Sequence, residues 1–314
     1  MSRHTILTAG PFGPADVELS AMPGDESGPR KDARKDPRTT GVSLFKTRQP
    51  AAQPAVTLDL VTGREIFGAP LPAIFANPAR VWESLGTVTL AADAVGNTLF
   101  PEVSDHPAAV AFDILRTRLL RGLAEKGWKR IAVTSPTHGC GKSFVATNLA
   151  LSLARRPASR TVLIDLDLRR PEIAKVLGIH EDRALGEFLS GEQPLEGVFR
   201  RYGRTLALGL NGEPIEKASE TLHDPDTVSA LAAMVEQLDP EVVIYDLPPA
   251  LVNDDVLALG PCIDAVLLVT DGTKTSPAEI NACEKLFEGR IPLLGVVLNR
   301  AQDFNAGRYR YAKK

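Results

Sequence analysis

Lys142 stands after Gly139-Cys140-Gly141 and before Ser143, in the stretch Pro136-Thr137-His138-Gly139-Cys140-Gly141-Lys142-Ser143-Phe144. A polyphosphate carries several negative charges in a short length. Successive backbone N–H groups in a tight loop, backed by a helix N-terminus, can cradle it. Gly139 and Gly141 let the backbone curl inward. The Lys142 ammonium would neutralise β- and γ-phosphates, and the Ser143 hydroxyl would ligate a bridging Mg²⁺. The pattern GxxxxGK[ST] asks for Gly where this chain has Pro136, so the loop is tested by its context: a strand must precede it and a helix must follow.

Two further stretches place carboxylates beside apolar runs. In Val162-Leu163-Ile164-Asp165-Leu166-Asp167-Leu168-Arg169-Arg170-Pro171, Asp165 and Asp167 leave the end of a short apolar segment. In Ile244-Tyr245-Asp246-Leu247-Pro248-Pro249, Asp246 does the same. Ligands of parallel α/β sheets sit at the carboxyl ends of the strands. Asp246 is therefore a candidate to hold a metal-bound water opposite Ser143. For Asp165 and Asp167 two readings stand side by side: a place in the site, or a plainly structural role, capping the next helix or pairing with Arg169 and Arg170.

The elements that would position these residues follow from periodicity. Phe112, Leu115, Leu119 and Leu120 recur at helical spacing, so Ala108 to Lys126 reads as a helix. Residues 130–135 read as a strand, 144–155 as a helix and 161–165 as a second strand, which is the repeating unit of a parallel sheet. Short helices follow at 184–189 and 195–199, a strand at 206–210 and a helix at 224–238. Strands at 241–246 and 265–269, a helix at 276–288 and a last strand at 294–299, expected to close the sheet, complete the pattern. Apolar runs without alternation suit strands covered on both faces. The expected fold class is α/β: a P-loop NTPase-like, mostly parallel sheet with helices on both faces.

Before this domain, residues 1–60 read as a largely disordered tail. The stretch from Asp25 to Arg38 is mixed in charge and almost devoid of apolar residues, too poor to offset the entropy of ordering. Residues 61–105 read as a linker with some local structure, in which Val81, Trp82, Leu85, Val88 and Leu90 form a short packed element. Residues 106–305 form the P-loop domain, and 306–314 a short tail with Tyr309 and Tyr311.

Composition narrows the function classes. Aromatic content is 5% and net charge −3, which argues against a base-stacking platform and gives no global pull toward DNA or an anionic membrane. Cys140, Cys262 and Cys283 are scattered and odd in number, so neither a disulfide framework nor a zinc site is expected, and a reducing cytoplasm is. No apolar stretch of about 18 residues suggests a membrane span, and no secretory leader is expected.

Together, the loop, the motif Asp165-x-Asp167-x-Arg169-Arg170-Pro171, the stretch Asp246-Leu247-Pro248-Pro249 with Asp254-Asp255, and Gly295-Val296-Val297-Leu298-Asn299-Arg300 resemble the bacterial tyrosine kinases of capsule and exopolysaccharide synthesis. These belong with the chromosome-partitioning and division-site ATPases. The resemblance spans roughly residues 105 to 305. It implies that Lys142, Ser143 and Asp246 handle Mg-ATP, with Gly139, Cys140, Gly141 and Phe144 in the nucleotide-binding loop. It also implies that Asp165 activates the attacking tyrosine hydroxyl, that Asp167 supports the metal shell and that Asn299 recognises adenine. A membrane polysaccharide co-polymerase would act as activator, the chains would self-associate in the ATP state, and the tail tyrosines Tyr309 and Tyr311 would be phosphoacceptors. The chain departs from its kin in three places. Thr137 replaces the signature lysine of the division-site branch. Val110, Asp113 and Arg116 stand where the kinases carry Glu-x-x-Arg-x-x-Arg, which builds their oligomer. The tail has two tyrosines rather than a cluster. An ATP-switched regulator without kinase chemistry, and a partitioning-type ATPase, are the competing expectations.

Overall fold

The computed structural model describes residues 7–9, 77–90, 98, 107–157, 159–180 and 185–301. Along the chain run β1 (Leu7–Ala9), α1 (Pro78–Ser84), β2 (Gly86–Val88), α2 (Pro107–Lys126), β3 (Arg130–Thr134), α3 (Lys142–Ala154), β4 (Thr161–Asp165), α4 (Ile173–Leu177), α5 (Leu185–Leu189), α6 (Leu195–Val198), β5 (Arg200–Tyr202) and β6 (Leu206–Gly209). There follow α7 (Ala218–His223), α8 (Pro225–Leu238), β7 (Val242–Asp246), α9 (Asp255–Ala258), β8 (Ala265–Asp271), α10 (Pro277–Phe287) and β9 (Leu293–Asn299).

The strands form one sheet in the order β1-β9-β8-β3-β7-β4-β6-β5-β2. Its inner pairs are parallel, and the two antiparallel pairs are β1 with β9 and β5 with β6. The strands β3, β4, β7 and β8 are the apolar runs of the sequence, and they are buried almost throughout. One face packs Phe112, Leu119, Val145, Leu149 and Leu153 of α2 and α3 against Ile131, Leu163 and Ile244. The other packs Leu231, Met234 and Leu238 of α8 and Cys283 and Phe287 of α10 against Val162, Val243 and Val266. The helix α3 is buried at every residue from Val145 to Leu153, which explains why its sequence lacks a polar stripe.

The sheet's edges differ from expectation. Residues 294–299 do not close it: β1 lies outside β9, with Leu7 opposite Leu298 and Ala9 opposite Val296. The short strand falls inside the segment read as a disordered tail, and it covers backbone groups that β9 would otherwise leave open. Three residues are too few to show a period. The rest of that tail lies outside the described residues.

At the other edge, the apolar residues of the expected linker fold as α1 and β2. Asn77 caps α1 through Ala79 N–H, and Pro78 opens the helix. Val81, Trp82 and Leu85 are buried. Trp82 Nε1 donates to Leu238 O at 2.6 Å, and the Arg160 guanidinium lies 5.5 Å from the indole centroid. β2 then pairs parallel to β5.

The register brings the chemistry together. Asp165 lies opposite Asp246 across β4 and β7, Val133 lies opposite Asp246 across β3 and β7, and Asp271 lies opposite Asn299 across β8 and β9. The carboxyl ends of these strands therefore form one edge, and the loop from β3 to α3 crosses it.

Candidate functional site

The loop begins where β3 ends. Thr134 Oγ1 donates to Pro248 O at 2.6 Å, Leu247 N–H to Val133 O at 3.0 Å and Ala250 N–H to Ser135 O at 2.8 Å. These bonds tie the start of the loop to the segment after Asp246. Gly139 and Gly141 take positive φ, 79° and 89°. Gly141 is required twice over: a side chain would be strained there, and its Cβ would meet the Asn299 amide. α3 starts at Lys142, with Gly141 as its N-cap. The strand, loop and helix context demanded by the sequence pattern is thus present, with Pro136 in the first position.

Lys142 is almost enclosed. Its Nζ lies 2.8 Å from Asp167 Oδ2, 3.3 Å from Asp246 Oδ1 and 3.2 Å from Ser143 Oγ. Burial alone would lower its pKa, but Asp246 and Asp167 outweigh that and hold it above the ordinary lysine value. Asp246 is fully buried, and the loss of water pushes its carboxyl up to about 6 against the pull of Lys142 and Ser143.

Asp165 is fully buried as well. Its Oδ2 accepts from Glu172 N–H at 3.1 Å and Ile173 N–H at 3.0 Å, at the start of α4, while Oδ1 has no hydrogen-bond partner. Desolvation, then the neighbouring Asp246, hold its pKa well above the carboxylate range. Asp165 caps the next helix, Asp167 accepts from Arg170 N–H at 3.1 Å and pairs with Lys142, and both carboxylates stand at the edge that carries the loop. Arg169 pairs instead with the buried Asp255.

A cleft of about 640 Å³ opens over the loop. Gly139, Gly141, Lys142, Ser143 and Phe144 line it from the loop side, and Asp167, Arg170, Glu172, Asn299 and Arg300 from the strand ends. Asp165 and Asp246 lie behind this wall. The adenine role read for Asn299 meets a fully buried side chain whose amide is engaged at both ends: Nδ2 donates to Cys140 O at 2.9 Å, and Oδ1 accepts from Arg300 N–H at 2.9 Å. Cys140 is buried, with Sγ on Thr137 O at 3.3 Å. Tyr309 and Tyr311 lie outside the described residues.

The cleft fits a hard divalent cation. Ser143 Oγ and the carboxylates of Asp167 and Asp246 form an all-oxygen donor set, and Mg²⁺ is held by one or two carboxylates with substrate phosphates and water rather than by a full protein cage.

Several participants escaped the sequence reading. Asn211 donates to Asp165 O at 3.0 Å and accepts from Leu185 N–H, fixing the end of β4. Asp271, fully buried, pairs with Arg300 at 2.7 Å. No local pattern marks either. The nearest signal was that Asp271, like Asp165 and Asp246, ends an apolar strand.

Comparison with known proteins agrees with this geometry. A family model for ParA, described as NUBPL iron-transfer P-loop NTPase, matches residues 128–306. The chain is 32% identical over 217 residues to the putative tyrosine-protein kinase EpsB of Ralstonia solanacearum, covering 68% of this chain and 28% of that protein. It is 28% identical over 203 residues to the tyrosine-protein kinase YwqD of Bacillus subtilis, covering 63% and 83%. The chain thus spans little more than a quarter of the EpsB length. Among solved structures, the VpsO kinase domain superposes with a TM-score of 0.55 at 28% identity, covering 62% of this chain and 96% of that one. The Escherichia coli ETK kinase domain superposes with 0.61 at 23% identity, covering 73% and 87%; at that identity it speaks for the fold. A nucleotide-binding P-loop, the ordered carboxylates around Lys142 and the matched span lead to one conclusion: the chain belongs to the ParA family of P-loop NTPases, and its relatives there include bacterial tyrosine-protein kinases.

Proposed function

We propose that the chain transfers the γ-phosphate of ATP to protein tyrosine and thereby regulates exopolysaccharide or capsule polymerisation or export. The observation that carries this is the Lys142 constellation. One buried lysine at the head of the phosphate loop is shared by Asp167 at 2.8 Å and Asp246 at 3.3 Å, with Asp165 enclosed behind them. The kinase names of the relatives supply the acceptor class.

The chain's residues divide the work. Lys142 moves from its carboxylate partners to the β- and γ-phosphates, exchanging one set of anions for another. The N–H groups of the loop receive the remaining phosphate oxygens. Ser143, Asp167 and Asp246 would hold Mg²⁺, which would supply charge neutralisation to the phosphates. The tyrosine oxygen forms the new bond to phosphorus as the bond to ADP breaks. Asp165 is the proposed acceptor of its proton. A carboxyl with a raised pKa is the better acceptor from a hydroxyl whose pKa is near ~10. Tyr309 and Tyr311 of a neighbouring chain are proposed acceptors. A membrane polysaccharide co-polymerase is the proposed activator, recruiting a cytoplasmic chain to the inner face of the membrane. No described helix is long and apolar enough to cross a membrane.

Mapping phosphotyrosine after incubation of the full chain with Mg-ATP, beside Lys142→Ala, tests the reading. Phosphotyrosine that depends on Lys142 is expected, and its absence would sink the proposal.

A second reading, an ATP-switched regulator that does no kinase chemistry, draws on Arg116. This last remnant of the assembly motif is bound internally, to Asp113 at 2.9 Å and to Ser152 O at 2.8 Å. ATP-dependent association with no phosphotyrosine would favour it.

A further inference from the structure

The loop is held from behind by the ends of β8 and β9. Arg300 Nη1 donates to Gly139 O at 2.7 Å and to Asp271 Oδ2 at 2.7 Å. Asn299 Nδ2 donates to Cys140 O at 2.9 Å. Two successive carbonyls of the loop are thus captured by two successive side chains. Asp271 anchors the arrangement. It is fully buried, and Oδ1 accepts from Thr273 N–H at 2.8 Å and Thr273 Oγ1 at 2.6 Å. The Asp271 N–H donates to Thr275 Oγ1 at 2.8 Å, and that hydroxyl lies 3.7 Å from Cys140 Sγ. The strand ends themselves are closely seated: Gly272 N–H donates to Asn299 O at 2.8 Å, and a Cβ on Gly272 would approach the Ala301 backbone to 3.0 Å.

A peptide group is planar and trans, so its C=O and N–H point in opposite directions. Fixing Gly139 O on Arg300 therefore sends the Cys140 N–H the other way, and fixing Cys140 O on Asn299 does the same for the Gly141 N–H. These are the groups a phosphate loop must present. Anion-binding N–H groups are effective when their orientation is set before the ligand arrives.

We propose that Asn299 and Arg300, with Asp271 behind them, are positioning residues that aim the loop's N–H groups at the phosphates. The role rests on the nucleotide reading of the loop. Asn299 then acts through the loop rather than on the base, and Arg300 and Asp271 gain a function. Arg300 is about one-third exposed and borders the cleft, but the bonds described here run to the loop and to Asp271.

Calorimetric titration of the full chain with ATP and, separately, with inorganic triphosphate, both with Mg²⁺, tests this. Arg300→Ala is expected to weaken both ligands by about tenfold or more, the scale of one lost charge-assisted hydrogen bond. Both bonds leave a single nitrogen, so Arg300→Lys recovers part of the loss; lost packing alone would give no such recovery. Asn299→Ala removes no charge and reads the second carbonyl independently, whether or not Arg300→Ala folds; it too weakens both ligands. Variants that bind both ligands as wild type does overturn the proposal. So does loss of ATP with triphosphate retained, which would move these side chains to the nucleoside. A wild-type chain that binds neither ligand brings down the nucleotide reading itself, and the brace with it.

Discussion

Lys142 Nζ sits 2.8 Å from Asp167 Oδ2, although neither residue is near the other in the chain and both are almost enclosed. The pair joins the first turn of α3 to the segment leaving β4. This lysine is the cation of a buried acidic group that also contains Asp165 and Asp246. On the proposed reading, phosphate binding would compete with this internal ion pair.

Lys142→Met should reveal that pairing as stability. Removing one partner of a buried ion pair typically costs about 3 kcal/mol or more, because the remaining charges stay buried. At neutral pH the urea midpoint of the variant should fall accordingly. At mildly acidic pH the deficit should shrink, since protonation of Asp246 and Asp165 removes the charges left behind. A deficit independent of pH would mean that Lys142 acts through packing alone.

Asp246 gives a second pH signature. Burial raises it from 3.8 in the unfolded chain to about 6. Between those values the folded state binds more protons than the unfolded one, so this group's contribution falls as pH rises through the window. It is most favourable below 3.8 and lost above about 6. Asp246→Asn removes the titration. The melting temperature of the variant relative to wild type should therefore climb as pH is raised from about 4 to about 7. On the proposed reading, in which ionised Asp246 holds the metal, wild-type affinity for Mg-ATP should rise over the same range. A flat difference in melting temperature would show that Asp246 titrates normally.

The N-terminal packing offers a prediction away from the chemistry. Trp82 is 2% exposed, bonded to Leu238 O and covered by Arg160. Trp82→Ala should cost about 3 kcal/mol, as for other large-to-small changes in a core. Nucleotide affinity should stay unchanged, because the α1 contact is on α8 and not on the loop. An unaltered urea midpoint would show that α1 adds nothing to the fold.

The sequence made the central strands legible because they are buried on both faces and so read as unbroken apolar runs. It made Lys142, Asp165, Asp167 and Asp246 legible because a parallel sheet delivers such residues to one edge. Two kinds of feature stayed hidden. The strands β1, β2 and β5 have three residues each, shorter than any period can reveal, and pairing with the sheet creates them. The brace on the loop is long-range: Asn299 reaches Cys140 across 159 positions and Arg300 reaches Gly139 across 161. Only the assembled sheet puts those ends beside the loop. The start of α4 falls between these cases, since Asp165 supplies its capping carboxylate from eight positions before Ile173.

Gly141 and Asn299 should be measurably coupled. The Gly141 φ of 89° lies in the left-handed region, where a side chain costs about 1–2 kcal/mol. A Cβ there would also overlap the Asn299 amide. Gly141→Ala should therefore destabilise the chain beyond the backbone cost and abolish nucleotide binding. Adding Asn299→Ala relieves the overlap and leaves the φ cost, so the double variant should regain part of the lost stability. It should not regain binding, because the Cys140 carbonyl is then unheld. Urea midpoints of the two single variants and the double variant form a cycle whose coupling should be favourable and at least about 0.5 kcal/mol. Strict additivity would place the harm of Gly141→Ala in the backbone alone.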